Sequence, residues 1–417
     1  MRLLLINQFF WPDTAPTGRF LLDVTRAIEA ETIQMTVICG PSGYGITDDT
    51  PCPAVRILRP ATTRFSRDTL ARILSYGSFL AGAVVAGFRV GRPDTVLTLT
   101  TPPLTSVFGR ILKLSRGCRH FIWEMDVYPD IAVDLGALKP RSMLTCVIGA
   151  LADWSRRNAD GIIVLGEDMR ARLIARDIPE HKIHVAENWA DGAEISPLPF
   201  SDGPLVVYYS GNFGRAHDID TIAAVIEGHA NDCRFQFVFA GGGARRQEME
   251  SLCRQQSIAN VFFRPHSSRA ELGASLAEGH LGLVTQLPQT CGSVVPSKTY
   301  GIMAAGRPIL FIGPREATPA RIIERFQCGW QVNPGDAAAV SSLLRKLDSQ
   351  RELIVEAGAR ARQAFEKHYD RPMGAARIVK ILGLEPAQIV KSHPDLRKTS
   401  YSAVPRVPDR KKTAVAG

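Results

Sequence analysis

Short apolar runs rich in branched residues alternate with longer amphipathic stretches along most of the chain. In the first half, residues 3–6, 35–39, 96–100, 121–124, 162–165 and 184–187 read as strands. Between them, residues 19–30, 104–115, 141–158 and 167–176 carry apolar side chains at helical spacing. Continuous apolar strands separated by helices predict a parallel sheet covered on both faces. The pattern breaks at 190–204, a stretch of Pro, Gly and Asp without periodicity, which reads as a linker. It then restarts, with strands at 205–210, 235–240, 261–264, 281–284, 309–312 and 330–332. Helices between these are expected to begin near Asp218, Ala244, Arg269, Pro296 and Pro319, and helical pattern runs again over 351–382.

The expectation is an α/β protein with two parallel sheets facing a central cleft. The first domain would span 1–190 and the second 205–368, joined by a linker at 191–204. A helix at 369–384 and a basic, disordered tail at 385–417 complete the chain. At 417 residues, two domains are a natural division.

The net charge of +9 would suggest nucleic acid if it were spread over the fold. From Lys391 onward seven Lys or Arg stand against two acids, a net of +5, leaving +4 for the 390 residues before them. No nucleic-acid partner is expected. The eight cysteines are scattered without a C-x-x-C pair, and the opening MRLLLINQFFWPD reads as a buried strand rather than a signal. Both fit reduced thiols in a cytoplasm.

Residues 70–88 have the length of a membrane span but contain Arg72, two serines and three glycines, with Arg64, Arg67, Arg89 and Arg92 nearby. A core helix is the favoured reading. A helix lying against the inner face of a membrane comes second, and a spanning helix last.

In open parallel sheets, ligands bind beyond the carboxyl ends of the strands. The long loop 7–18 after the first strand ends at Gly18, where a ligand could approach the backbone. After the second domain's first strand, SGNFGRAHD (210–218) offers glycines and Arg215, whose guanidinium can grip a diphosphate. The three glycines 241–243 serve close packing or ligand contact equally well. Pro296 is placed to open a helix, so that the N–H groups of Ser297 and Lys298 and the Lys298 ammonium would form a phosphate site. Glu124, Asp126 and Asp130 follow a strand, where a carboxylate can face the cleft or cap a helix. His181 and His184 form H-x-x-H without a further ligand, so no metal is expected.

These segments resemble the retaining glycosyltransferases of family 4, with the GT-B fold of two Rossmann-like domains, in the branch that builds bacterial surface polysaccharides. The resemblance covers roughly residues 1–385. It rests on NQFFWPD, TTPPL (100–104), the D-x-Y-P of Asp126 to Pro129 and AENWAD (186–191) in the first domain. The second domain contributes YSGNFGRAHD, FAGGG and PSKTYGIMAAGRPIL (296–310). It implies a nucleoside-diphosphate sugar as donor, with no other cofactor and no metal. The pyrophosphate would lie near Gly211, Asn212, Arg215, Pro296, Ser297 and Lys298, with Arg264 and Pro265 beside the base. Gly18 would face the donor across the cleft, and Asp126 the reacting sugar and acceptor. The sequence departs from the family at one point. Two glutamates usually stand eight positions apart here, and Ser293 and Gly301 occupy their places.

The implied activity is hexosyl transfer with retention, with Asp126, Arg215 and Lys298 as the catalytic residues. The acceptor would be a saccharide or a lipid-linked saccharide, with peripheral contact at the inner membrane face. Two rivals are a nucleotide-sugar epimerase or hydrolase of the same fold, and a catalytically weak partner that binds donor or glycan.

Overall fold

The structure is a computed structural model of the chain, and it describes residues 1–28, 33–41, 51–63, 69–243 and 245–385. The chain opens with β1 (Arg2–Ile6), α1 (Pro16–Ala27), β2 (Gln34–Ile38) and β3 (Arg56–Leu58). Next come α2 (Thr69–Arg89), β4 (Thr95–Leu99), α3 (Thr105–Arg116) and β5 (Arg119–Trp123). Then follow α4 (Asp130–Asp134), α5 (Met143–Asn158), β6 (Gly161–Val164), α6 (Glu167–Ile174) and β7 (Ile183–Val185). The strands form one parallel sheet in the order β3-β2-β1-β4-β5-β6-β7. Every residue of β4, TVLTL, is buried, as a strand covered on both faces requires.

The second sheet is built by β8 (Leu205–Ser210), α7 (Asp220–Gly228), β9 (Phe235–Ala240), α8 (Arg246–Gln255) and β10 (Val261–Arg264). It continues through α9 (Leu272–Ala277), β11 (Leu281–Thr285), α10 (Lys298–Ala304), β12 (Ile309–Ile312), α11 (Thr318–Phe326) and β13 (Gly329–Val332). Its order, β10-β9-β8-β11-β12-β13, is again fully parallel. The chain then runs through α12 (Ala337–Ser349), α13 (Glu352–Ala364), a π turn (Phe365–Tyr369) and α14 (Arg371–Ile381). α14 packs against α1, and Ile378, Val379 and Leu382 are buried in the core of the first sheet. Gly374 permits this approach, since a Cβ there would lie 2.3 Å from the Trp189 ring.

Each strand read from the pattern forms, within a residue or two at its ends. The three-residue β3 and helix α12 lie outside those readings. α1 begins at Pro16 rather than Arg19, with the proline at a position that needs no N–H. The basic tail, like Arg64, Arg67 and Ala244, lies outside the described residues.

The favoured core-helix reading of 70–88 is corrected. α2 buries only an inner stripe, including Ser75, Phe79 and Ala83, against the first sheet, while Leu70 is 74% exposed and Leu74 64%. By length and composition alone it could cross a membrane, but Phe79 and Ala83 are part of the core between β1, β2 and β4.

Strand order reverses beside β1 in the first sheet and beside β8 in the second. The loops after β1, β4, β8 and β11 therefore flank the places where ligands enter such sheets. A backbone tie joins the two sides of the cleft: Asp126 and Val294 form an isolated antiparallel bridge, in which the Val127 N–H donates to the Ser293 carbonyl at 2.9 Å. Farther along, the Asp168 carboxylate accepts from the Thr318 N–H at 3.2 Å and from its hydroxyl at 2.6 Å, satisfying the start of α11.

Candidate active site

The second-sheet wall of the cleft begins where β8 ends. Gly211 has φ +127°, a conformation that favours glycine, and a Cβ there would lie 2.8 Å from the Lys298 Cε. The glycine therefore lets Lys298 lie against the turn. The Lys298 ammonium sits 4.8 Å from the Tyr209 ring centroid and 3.1 Å from His217 Nε2. His217 Nδ1 lies 2.8 Å from the Thr285 carbonyl and must carry the proton, so Nε2 accepts from the lysine. Burial pushes Lys298 down to about 7. Burial, then the neighbouring lysine, pushes His217 down to about 3, so the imidazole is neutral. No acidic side chain pairs with Lys298 among the described residues. A half-buried cation with no acid beside it is a ready counter-charge for an anion.

The first-sheet wall is built differently. Glu124, at the end of β5, is 1% exposed and accepts from Arg156 Nε at 2.7 Å. Arg156 also reaches Asp153 at 3.1 Å and donates to the Tyr128 carbonyl at 2.9 Å. Asp130 pairs with Arg176 at 2.8 Å. Of the three acids that follow the strand, Glu124 and Asp130 spend their charge inside the wall. Asp126 alone is left without a cation, and burial, then the Glu124 charge, pushes its carboxyl up to about 6. The bridge to Val294 sets it two residues before Pro296 on the opposite wall.

Between the walls lies a cavity of about 320 Å³. Ser210, Ser297, Lys298 and Gly301 line it from the second sheet's side, and Arg19, Asp23 and Trp189 from the first. The linker contributes Asp191 and Glu194, which pair with Arg371 and Arg269. Gly301 opens directly onto the cavity, and the nearest atom to a Cβ there would be Leu276 Cδ1 at 3.5 Å. The carboxylates present come from α1 and the linker instead of from position 301. Ser293, at the other departure, is fully buried and donates to the Thr290 carbonyl at 3.0 Å.

Residues 17–189 match the glycosyl transferase 4-like domain. The chain carries a glycosyl transferase 4-like domain. It is 27% identical over 362 residues to a Pseudomonas aeruginosa protein named "Probable glycosyltransferase WbjE", covering 83% of this chain and 89% of that one. Among solved structures, Anabaena HepE in complex with UDP-glucose superposes with a TM-score of 0.68 at 12% identity, over 92% of this chain and 99% of HepE. WaaG, a glycosyltransferase involved in lipopolysaccharide biosynthesis, gives 0.66 at 14% identity, over 90% of this chain and 99% of WaaG. The fold is that of the GT-B glycosyltransferases.

The expected donor residues divide. Gly211, Lys298 and Ser297 come together at the cleft. Asn212 is exposed beside them, its side chain 2.9 Å from His266 Nε2. Arg215 is exposed on the same loop. Arg264 is directed to Glu278, and Pro265 lies exposed after the edge strand β10, so His266 is the side chain of that turn that reaches Asn212. Gly18 is corrected: it is the third residue of α1, and a Cβ there would sit 3.1 Å from the Phe9 backbone, so it serves close packing of the helix on its own loop. Pro296 is also corrected. α10 starts at Lys298, and buried Pro296 offers its carbonyl to the Thr299 hydroxyl at 3.0 Å. The later half of PSKTYGIMAAGRPIL is structural: Arg307 is buried, stacks on Phe200 at 4.0 Å and donates to the Ala277 and Pro199 carbonyls. His217, Arg19, Glu194 and Arg269 were not singled out as donor-site residues. The loop ending at Gly18 and the GRAHD and AENWAD segments lie beside Arg19, His217 and Glu194 in sequence.

Proposed function

We propose that this glycosyltransferase moves a hexose from a nucleoside-diphosphate sugar to a saccharide or lipid-linked saccharide acceptor, with retention and without a metal. The observation that carries the reading is the half-buried Lys298 ammonium, held against the Gly211 turn with no carboxylate beside it among the described residues. A diphosphate supplies the missing charge. As the bond to the anomeric carbon breaks, negative charge grows on the leaving diphosphate, and Lys298, with Arg215 from the neighbouring loop, stabilises it. The acceptor hydroxyl approaches on the same face and passes its proton to the departing phosphate oxygen. Asp126, across the bridge from Val294, orients the acceptor or the sugar. Side-chain cations take the part a metal would otherwise play at the diphosphate.

UDP-glucose in HepE and the lipopolysaccharide role of WaaG support a nucleotide-sugar donor and a surface-polysaccharide acceptor. We place the reaction in the cytoplasm, at the inner membrane face. Incubating the protein with radiolabelled UDP- and GDP-sugars and membrane extract tests the reading. Labelled saccharide or lipid-linked product is expected. Soluble epimer or free sugar without an acceptor product would replace it with the epimerase or hydrolase reading, and donor binding without turnover with that of a binding partner.

A further inference from the structure

Three neighbouring helices of the first sheet leave an unusual outer surface. α2 turns Leu70, Ile73, Leu74, Val85 and Phe88 outward, at a helical spacing that makes one stripe. α5 does the same with Met143, Leu144, Val147, Leu151 and Trp154, and Met143 is 86% exposed. α3 packs against both and adds Ile111 and Leu114. Cations are woven into the same layer. The Arg110 guanidinium lies 5.5 Å from the Trp154 ring centroid, and that of Arg116 lies 5.7 Å from the Phe88 ring. Exposed Lys139 and Arg141 lead into α5. The three helices contain one carboxylate, Asp153, which is buried against Arg156 and Arg176.

We propose that this α2–α3–α5 face docks on an anionic lipid bilayer. Large exposed apolar patches on soluble proteins mark interaction sites. Apolar stripes rimmed by Arg and Lys, with an aromatic residue at the level of the charges, suit a headgroup layer. A second copy of the chain fits less well, because two such faces would oppose cations with no exposed helix carboxylate to pair them. The face also borders the Asp126 loop. Arg72 and Tyr76 of α2 act electrostatically on Tyr128, and Pro129 packs beside Gly149 of α5. An acceptor held in the bilayer would thus reach the cleft at Asp126, a consequence that rests on the glycosyl-transfer reading, whereas the docking itself does not.

The test is sedimentation of the full chain with vesicles of equimolar phosphatidylglycerol and phosphatidylcholine, against phosphatidylcholine alone. Wild type is expected to bind the anionic vesicles. The double variant Leu74→Glu, Val147→Glu, at two exposed sites, should bind them about tenfold more weakly or worse while its UDP affinity is unchanged. Brominated lipid should quench Trp154, and Trp154→Phe should remove that quenching. The basic tail is common to both proteins, so equal vesicle binding by wild type and double variant would overturn the proposal. So would a wild-type dimer that the double variant dissociates while neither protein binds vesicles. Vesicle binding without any UDP binding would sink the transferase reading and leave the docking standing.

Discussion

The two walls of the cleft handle charge in opposite ways. On the first-sheet side, carboxylates and guanidinium groups are matched: Glu124 with Arg156, Asp153 with Arg176 at 2.7 Å, and Asp134 with Arg172 at 2.8 Å. On the second-sheet side, Lys298 has an imidazole and a phenol ring for company and no acid among the described residues. Matched charges hold a loop in place; an unmatched one creates demand for a ligand. The contrast separates a positioning wall from a binding wall, and it singles out Asp126 as the one carboxylate of its loop left for chemistry.

The two walls differ most at Lys298. Lys298→Ala should lower transfer by about a thousandfold, read as kcat/KM with labelled donor, because the leaving diphosphate loses its counter-charge. On the other wall, Arg156→Ala should act on stability first. It strands Glu124 in the core and should cost about 3–5 kcal/mol, read from the denaturant midpoint. A smaller effect is expected from Asp126→Asn, about 10- to 100-fold in kcat with stability nearly unchanged. With its carboxyl pushed up to about 6, wild-type activity should fall as pH drops through that value, since the carboxylate is then protonated. The Asn variant should show no such acid limb. Arg215→Ala should have the smallest effect, about fivefold in kcat/KM, because its side chain lies in solvent where a charge is worth less.

Much of this arrangement was legible in the sequence. Strands of the second sheet stand out because they are continuous apolar runs, and 205–210, 235–240 and 261–264 match residue for residue. Lys298 stands out in the sequence because a lysine just inside a helix N-terminus, where the dipole disfavours a cation, calls for a reason. The remainder depended on long-range contacts that periodicity does not carry. Gly18 stands at the start of a helix and Gly211 at the end of a strand, yet one meets its own loop backbone and the other a lysine 87 positions away. Glu124 and Asp126 are two residues apart, and only the position of Arg156 on α5 decides which is neutralised. α2 looked like a core helix because its composition is apolar, but one stripe of it is buried and the other faces out.

Binding of UDP, the nucleotide of the HepE complexes, measured by calorimetry from pH 6 to 9 in two buffers of different ionisation enthalpy, tests the central claim most directly. In the free cleft burial holds Lys298 at about 7; a bound diphosphate favours the ammonium and raises that value. Binding should therefore take up protons at and above neutral pH, and affinity should fall as pH rises through 7 towards the liganded value. Lys298→Met should lose both the proton uptake and most of the affinity. Equal affinity in wild type and Lys298→Met, with no proton taken up by either, would mean that Lys298 is not the counter-charge of the diphosphate.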